Sequence, residues 1–212
     1  MKNLVSRFNV YDQFGYIFVG LYQILLLKVF LNFTEYKSPF ELFDNFKLGD
    51  SVVLILLSYL FGHIVQAISN LFSSDRSHGY NPEVLKRAKA FFKLNDDTSE
   101  QTVFQYCYLY SLSNDFSGHI SLFNSLHSLY RGLMVASGIG LVMNLVYLFL
   151  TFWIPWFTPV YIEFSYWVIT AIQAVLIVLF NSRKNRFLNY YLEKVLISFD
   201  ILSKDLIKDD NR

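Results

Sequence analysis

The sequence predicts an all-α integral membrane protein, with four transmembrane helices and a small cytoplasmic helical subdomain. Three observations carry that prediction. Of the 212 residues, 54% are hydrophobic and 19% aromatic, above the roughly 45–50% apolar usage of soluble domains even when glycine is counted. The excess falls in blocks that read as spans, the clearest being Ser51 to Phe72, SVVLILLSYLFGHIVQAISNLF, which holds no charged residue. A hydrocarbon core of about 30 Å needs roughly 20 helical residues. Between the second and third blocks, Ser73 to Ser128 is polar enough for water.

The first span runs from Gln13 to Phe33. Asp12, Tyr16, Gly20 and Gln23 lie on one face, and Lys28 sits near the far end, where its stem can snorkel to headgroups. The basic start MKNLVSRFNVYDQF leads into an apolar run without a small-residue exit, so the run reads as a retained helix rather than a cleaved signal. The loop Thr34 to Asp50, with Pro39, Phe40 and Phe43 among charges, suits a short interfacial element. In the second span Ser58, Gly62, Gln66 and Ser69 or Asn70 recur at steps of four and three and share a face. That face must meet protein or water, because unpaired polar groups in hydrocarbon cost several kcal/mol.

The insertion opens with Asn81-Pro82-Glu83, a capping residue, a proline at the first helical position and an acid in the first turn. This helix ends at Asn95-Asp96-Asp97, and Thr98 to Gln101 fits a capping box for a second. A long helix then runs from about His119 through Arg131 into the third span, Leu129 to Leu150. There Gly132, Ala136 and Gly140 are spaced so that another backbone can approach closely, with Asn144 extending that face. The loop TFWIPWFTPVYIEF holds no Lys or Arg and is dense in aromatic residues, as in an interfacial belt. The fourth span, Ser165 to Phe180, carries Thr170, Gln173 and Ala174, and RKNR stops it. In the tail, Leu188, Leu192, Val195, Phe199, Leu202 and Leu206 form a seam that suits packing onto the insertion better than a coiled coil. The divisions are therefore 1–72, 73–128, 129–182 and 183–212. Lys and Arg concentrate in the N-terminus, the insertion and the tail, which places both termini and the insertion in the cytoplasm.

The candidate site is a polar intramembrane path of Gln23, Ser58, His63, Gln66, Asn144 and Gln173, with Gly62, Gly132, Ala136 and Gly140 making helix contacts. Each span carries one carboxamide, and amides both donate and accept, so the four suit either structural linkage of the bundle or a path that opens. His63 reads as a functional element within a span or as a neutral imidazole bonded to an amide. Lys86, Arg87 and Lys89, with Lys93, make a basic face for acidic lipid, for a cytoplasmic partner or for solvent alone. His127 and Arg131, one turn apart, suit a lipid phosphate, a gate or plain interfacial anchoring. No cofactor is implied. The histidines are too scattered for a metal site, and a single cysteine excludes a disulfide framework. A net charge of +1 argues against a nucleic-acid partner. No glycine-rich phosphate loop, nucleophile elbow, zinc motif or paired intramembrane acids occur, so no enzyme is expected.

At YDQFGY (Tyr11 to Tyr16) and SYLFGHIVQAIS (Ser58 to Ser69) the chain resembles small bacterial membrane proteins found with anti-phage defence genes. Those families include four-helix effectors that perforate or depolarise the inner membrane of an infected cell. The resemblance implies an oligomeric, pore-forming effector of the bacterial inner membrane, answering to a nucleotide signal or a partner protein. Without it, the same residues suit a membrane anchor that recruits a soluble protein through its cytoplasmic helices.

Overall fold

The computed structural model describes residues 10–33, 48–72, 80–115, 118–153 and 164–209. Six helices and no strand occur among them: α1 (Val10–Phe33), α2 (Leu48–Phe72), α3 (Pro82–Phe91), α4 (Glu100–Ser113), α5 (His119–Trp153) and α6 (Phe164–Asp209). Four of these, α1, α2, α5 and α6, are long and apolar enough to cross a membrane. Of the loops expected at 34–50 and 151–164, residues 34–47 and 154–163 lie outside the described residues, as does the side chain of Leu206, while 48–50, 151–153 and 164 are helical and belong to α2, α5 and α6.

The chain divides into two compact units. The first comprises Met1–Ser73 and Ser125–Lys184, and the second Ser74–Asn124 and Asn185–Arg212. The first division after the insertion therefore falls at Asn124, ahead of the expected Ser128. The cause is visible in the first unit, where Ser128 accepts a hydrogen bond from Gln66 and His127 meets the carbonyl of Lys184.

In the first unit, α1 and α2 make the tightest crossing. A methyl group added at Gly20 would lie 1.6 Å from the Ser58 carbonyl oxygen, and one at Gly62 would lie 1.9 Å from that of Tyr16. Main chain meets main chain, which only small residues permit. Helix α5 packs on this pair through Gly132, whose added methyl would meet Val19 at 2.9 Å, and through Ala136, fully buried with Val19 and Val65. At Gly140 the neighbours are the Gln173 carboxamide on α6 and Leu26 on α1. All three small residues of the α5 stripe thus sit in close helix contacts.

In the second unit, Asn81 caps α3, its side chain accepting from the Glu83 amide at 3.0 Å, with Pro82 at the first helical position. Helix α4 is capped by Ser99, which accepts from the Thr102 amide, one residue later than the expected box. Val84, Leu85 and Ala88 of α3 pack with Val103, Phe104 and Cys107 of α4, Ile120 of α5, and Val195, Leu196 and Phe199 of α6. Of the tail seam, Val195 and Phe199 are buried in that core and Leu192 packs against it.

RKNR does not end a helix. Helix α6 runs unbroken through residues 181–187. Arg and Lys are strong helix formers, and the segment holds no Gly or Pro, so the charges close the apolar stretch without breaking the backbone pattern.

Candidate functional site

The expected path residues can be placed along the first unit by their partners on α5. At one end, Gln66 donates from Nε2 to the Ser128 hydroxyl at 2.6 Å, and Arg131 donates from Nη2 to Asn70 Oδ1 at 2.6 Å. His127 Nδ1 lies 3.1 Å from the Lys184 carbonyl oxygen. A carbonyl only accepts, so this contact places the proton on Nδ1. Midway, the Tyr22 and Ser137 hydroxyls are 2.8 Å apart. At the other end Asn144 donates from Nδ2 to Gln173 Oε1 at 2.9 Å and to the Thr170 hydroxyl at 3.3 Å. The Tyr166 hydroxyl donates to the Asn144 carbonyl at 2.6 Å.

Ser128 and Asn144 are sixteen residues apart on α5, so these groups extend over about 24 Å of helix. That is most of the roughly 30 Å hydrocarbon core. Gln23 and Ser58 fall between the two ends, because Tyr22 meets Ser137 while Ser58 abuts Gly20. Both are buried, at 6% and 1% exposure, and neither Gln23 Oε1 nor Ser58 Oγ has a hydrogen-bond partner among the described residues. Five of the six path residues therefore lie in the interior as one seam, with Gln66, Asn144 and Gln173 paired towards its ends and two oxygens, Gln23 Oε1 and Ser58 Oγ, without a partner among the described residues between them.

His63 is the exception. It was expected to line the interior and instead is exposed. Its ring stacks on Tyr16, with centroids 4.1 Å apart, and meets the edge of Tyr59 at 4.4 Å. The reason is angular: Ser58, Gly62, Gln66 and Ser69 all turn inward, and one residue past Gly62 lies about 100° around the helix. Gly20, absent from the helix-packing residues that the sequence predicts, crosses α2 as closely as Gly62 crosses α1. Its signal in sequence was the Ser58-x-x-x-Gly62 pair opposite a glycine on the neighbouring span.

The expected basic face of the second unit is partly consumed within it. Arg87 Nη1 pairs with Asp200 at 2.7 Å, Asp200 also pairs with Lys204 at 2.7 Å, and Lys89 donates to the Asp96 carbonyl. Lys86 is exposed. Beside Arg87 opens a groove of about 680 Å³ between α3 and α6, with Val84, Leu192, Leu196, Glu193 and Asp200 in its lining. Cys107 is wholly buried in the core, and burial pushes its thiol up to about 12, far from a working nucleophile. Among the described residues no group of three His, Cys, Asp or Glu could hold a metal ion.

No protein-family model, curated protein or solved structure matches this chain.

Proposed function

We propose that this protein is a membrane-permeabilising effector of bacterial anti-phage defence, acting in the inner membrane as an oligomer. The observation that carries the reading is the polar seam with unpartnered acceptors at Gln23 and Ser58. Each bare acceptor costs free energy in a water-free interior, on the order of 1–3 kcal/mol. A bundle shaped only to hold together would satisfy them, whereas a water-admitting path needs hydrophilic groups that are not locked to one another. In the arrangement described, the paired ends close the seam. Opening then frees the Gln66 and Asn144 carboxamides to be hydrated, so that leucine at both positions would leave apolar plugs in the path.

Induced expression should depolarise cells, and Gln66→Leu with Asn144→Leu should abolish the depolarisation at equal membrane-inserted protein. Undiminished toxicity of that double variant would falsify the path. A second reading, an anchor that recruits a soluble partner, is favoured by the groove beside Arg87. It predicts the reverse pattern: charge reversal at Lys86, Arg87 and Lys89 abolishes the phenotype while the leucine pair is silent.

A further inference from the structure

On α2 the outward face carries Leu56, Leu60, Ile64 and Leu71, all exposed and all suited to lipid. His63 stands among them. It lies seven residues from Asn70, about 10 Å along the helix and within the span. Its orientation is held by its own chain. Tyr16 stacks on one side of the ring, Tyr59 closes on it edge-on, and the Tyr59 hydroxyl is fixed by donating to Gln13 Oε1 at 2.8 Å. No hydrogen bond reaches either ring nitrogen from the described residues. A neutral imidazole offers one donor and one acceptor. Leaving both in hydrocarbon is expensive, and ionisable groups within spans face protein or water instead.

We infer that the α1–α2 face around His63 is the contact surface for a second copy of this chain. Such a contact rests on the oligomeric reading above and deepens it by naming the surface. Depth selects the occupant. A copy related by an axis along the membrane normal presents its own His63 at the same level, so the donor of one ring meets the acceptor of the other. Any other membrane partner would need a separate polar group at that depth. Ala67, one turn from His63 and also exposed, is small enough to let two α2 helices approach.

Cysteine cross-linking in native membranes tests the pairing, with the buried Cys107 changed to serine. Under mild oxidation Leu60→Cys and Ala67→Cys should give a disulfide-linked dimer, and Val178→Cys on the exposed side of α6 should not. Adding His63→Leu should lower the cross-linked fraction about fivefold, the change expected for one interhelical hydrogen bond in a bilayer. His63→Asn, which keeps a donor and an acceptor, should restore it. Monomer only, equal cross-linking at residue 178, or indifference to His63→Leu would each overturn the inference. Depolarisation measured in the same cells separates the two claims. Cross-links without depolarisation remove the permeabilising function and keep the surface, and depolarisation without cross-links does the opposite.

Discussion

Gly20 and Gly62 occupy positions where one methyl group would strike main chain, at 1.6 and 1.9 Å from carbonyl oxygens. Neither oxygen belongs to a flexible side chain, so the clash is relieved only by parting the helices. Gly62→Ala should therefore destabilise the protein by at least about 1–3 kcal/mol, the usual cost of forcing atoms into a packed contact. Gly138 is the internal control: it is helical, and nothing lies within 4 Å of an added methyl. Gly138→Ala should be neutral or stabilise by up to about 1 kcal/mol through helix propensity. Thermal unfolding of detergent-solubilised protein reads both, and an equal loss at the two positions would remove the close-crossing account. At this scale the sequence was most legible where size alone mattered, as at Gly132, Ala136 and Gly140. It was least legible at His63, because residue type and depth can be read along a chain but azimuth cannot. The glycine crossing fixes which way α2 is rolled, and that roll sends the imidazole outward.

Helix α6 shows at the scale of the element how composition and secondary structure separate. Its charged run ends an apolar stretch yet continues the helix, and beyond it Val195 and Phe199 are wholly buried against α3 and α4. Phe199→Ala should cost about 3–5 kcal/mol, the range for deleting a buried aromatic ring. Asp200, the next residue, binds Arg87 and Lys204, but both bases are about half exposed, at 49% and 58%. Water screens such pairs, so Asp200→Asn should cost under about 1 kcal/mol. The urea dependence of protease resistance in the 74–124 segment measures the contrast. If the aspartate change were the more damaging, the α6 seam would not be what holds this unit together. The seam's heptad spacing was visible in the sequence. So was its packing onto the insertion, but not which residues of α3 and α4 receive it, since any apolar face of matching length satisfies the same periodicity.

For the whole molecule, the partners on α5 set a consistent register. Val19, Tyr22, Leu26 and Phe30 on α1 meet Gly132, Ser137, Gly140 and Tyr147 in ascending order, so α1 and α5 run in the same direction. Gln173 meets Asn144 and Lys184 meets His127, so α6 within this unit runs the other way. Four spans of alternating direction would leave both ends on one side, and we propose from the placing of Lys and Arg that this side is the cytoplasm. Green fluorescent protein fused at either terminus should fluoresce, and alkaline phosphatase should be active only when inserted in residues 34–47 or 154–163. An active phosphatase at either terminus would reverse the orientation.

What the sequence by itself determined is the number of apolar helices, the polar insertion between the second and third, and the small residues that let helices touch. These are properties of composition and spacing along one strand of chain. Only the tertiary structure decided that Gln66 bonds a serine hydroxyl, that Asn144 and Gln173 pair, that Gln23 Oε1 and Ser58 Oγ find no partner among the described residues, and that His63 faces out. Those outcomes depend on how far each helix is rolled and shifted against its neighbours. That roll and shift are set by close contacts between residues distant in sequence, such as Gly20 with Ser58 and Gly62 with Tyr16.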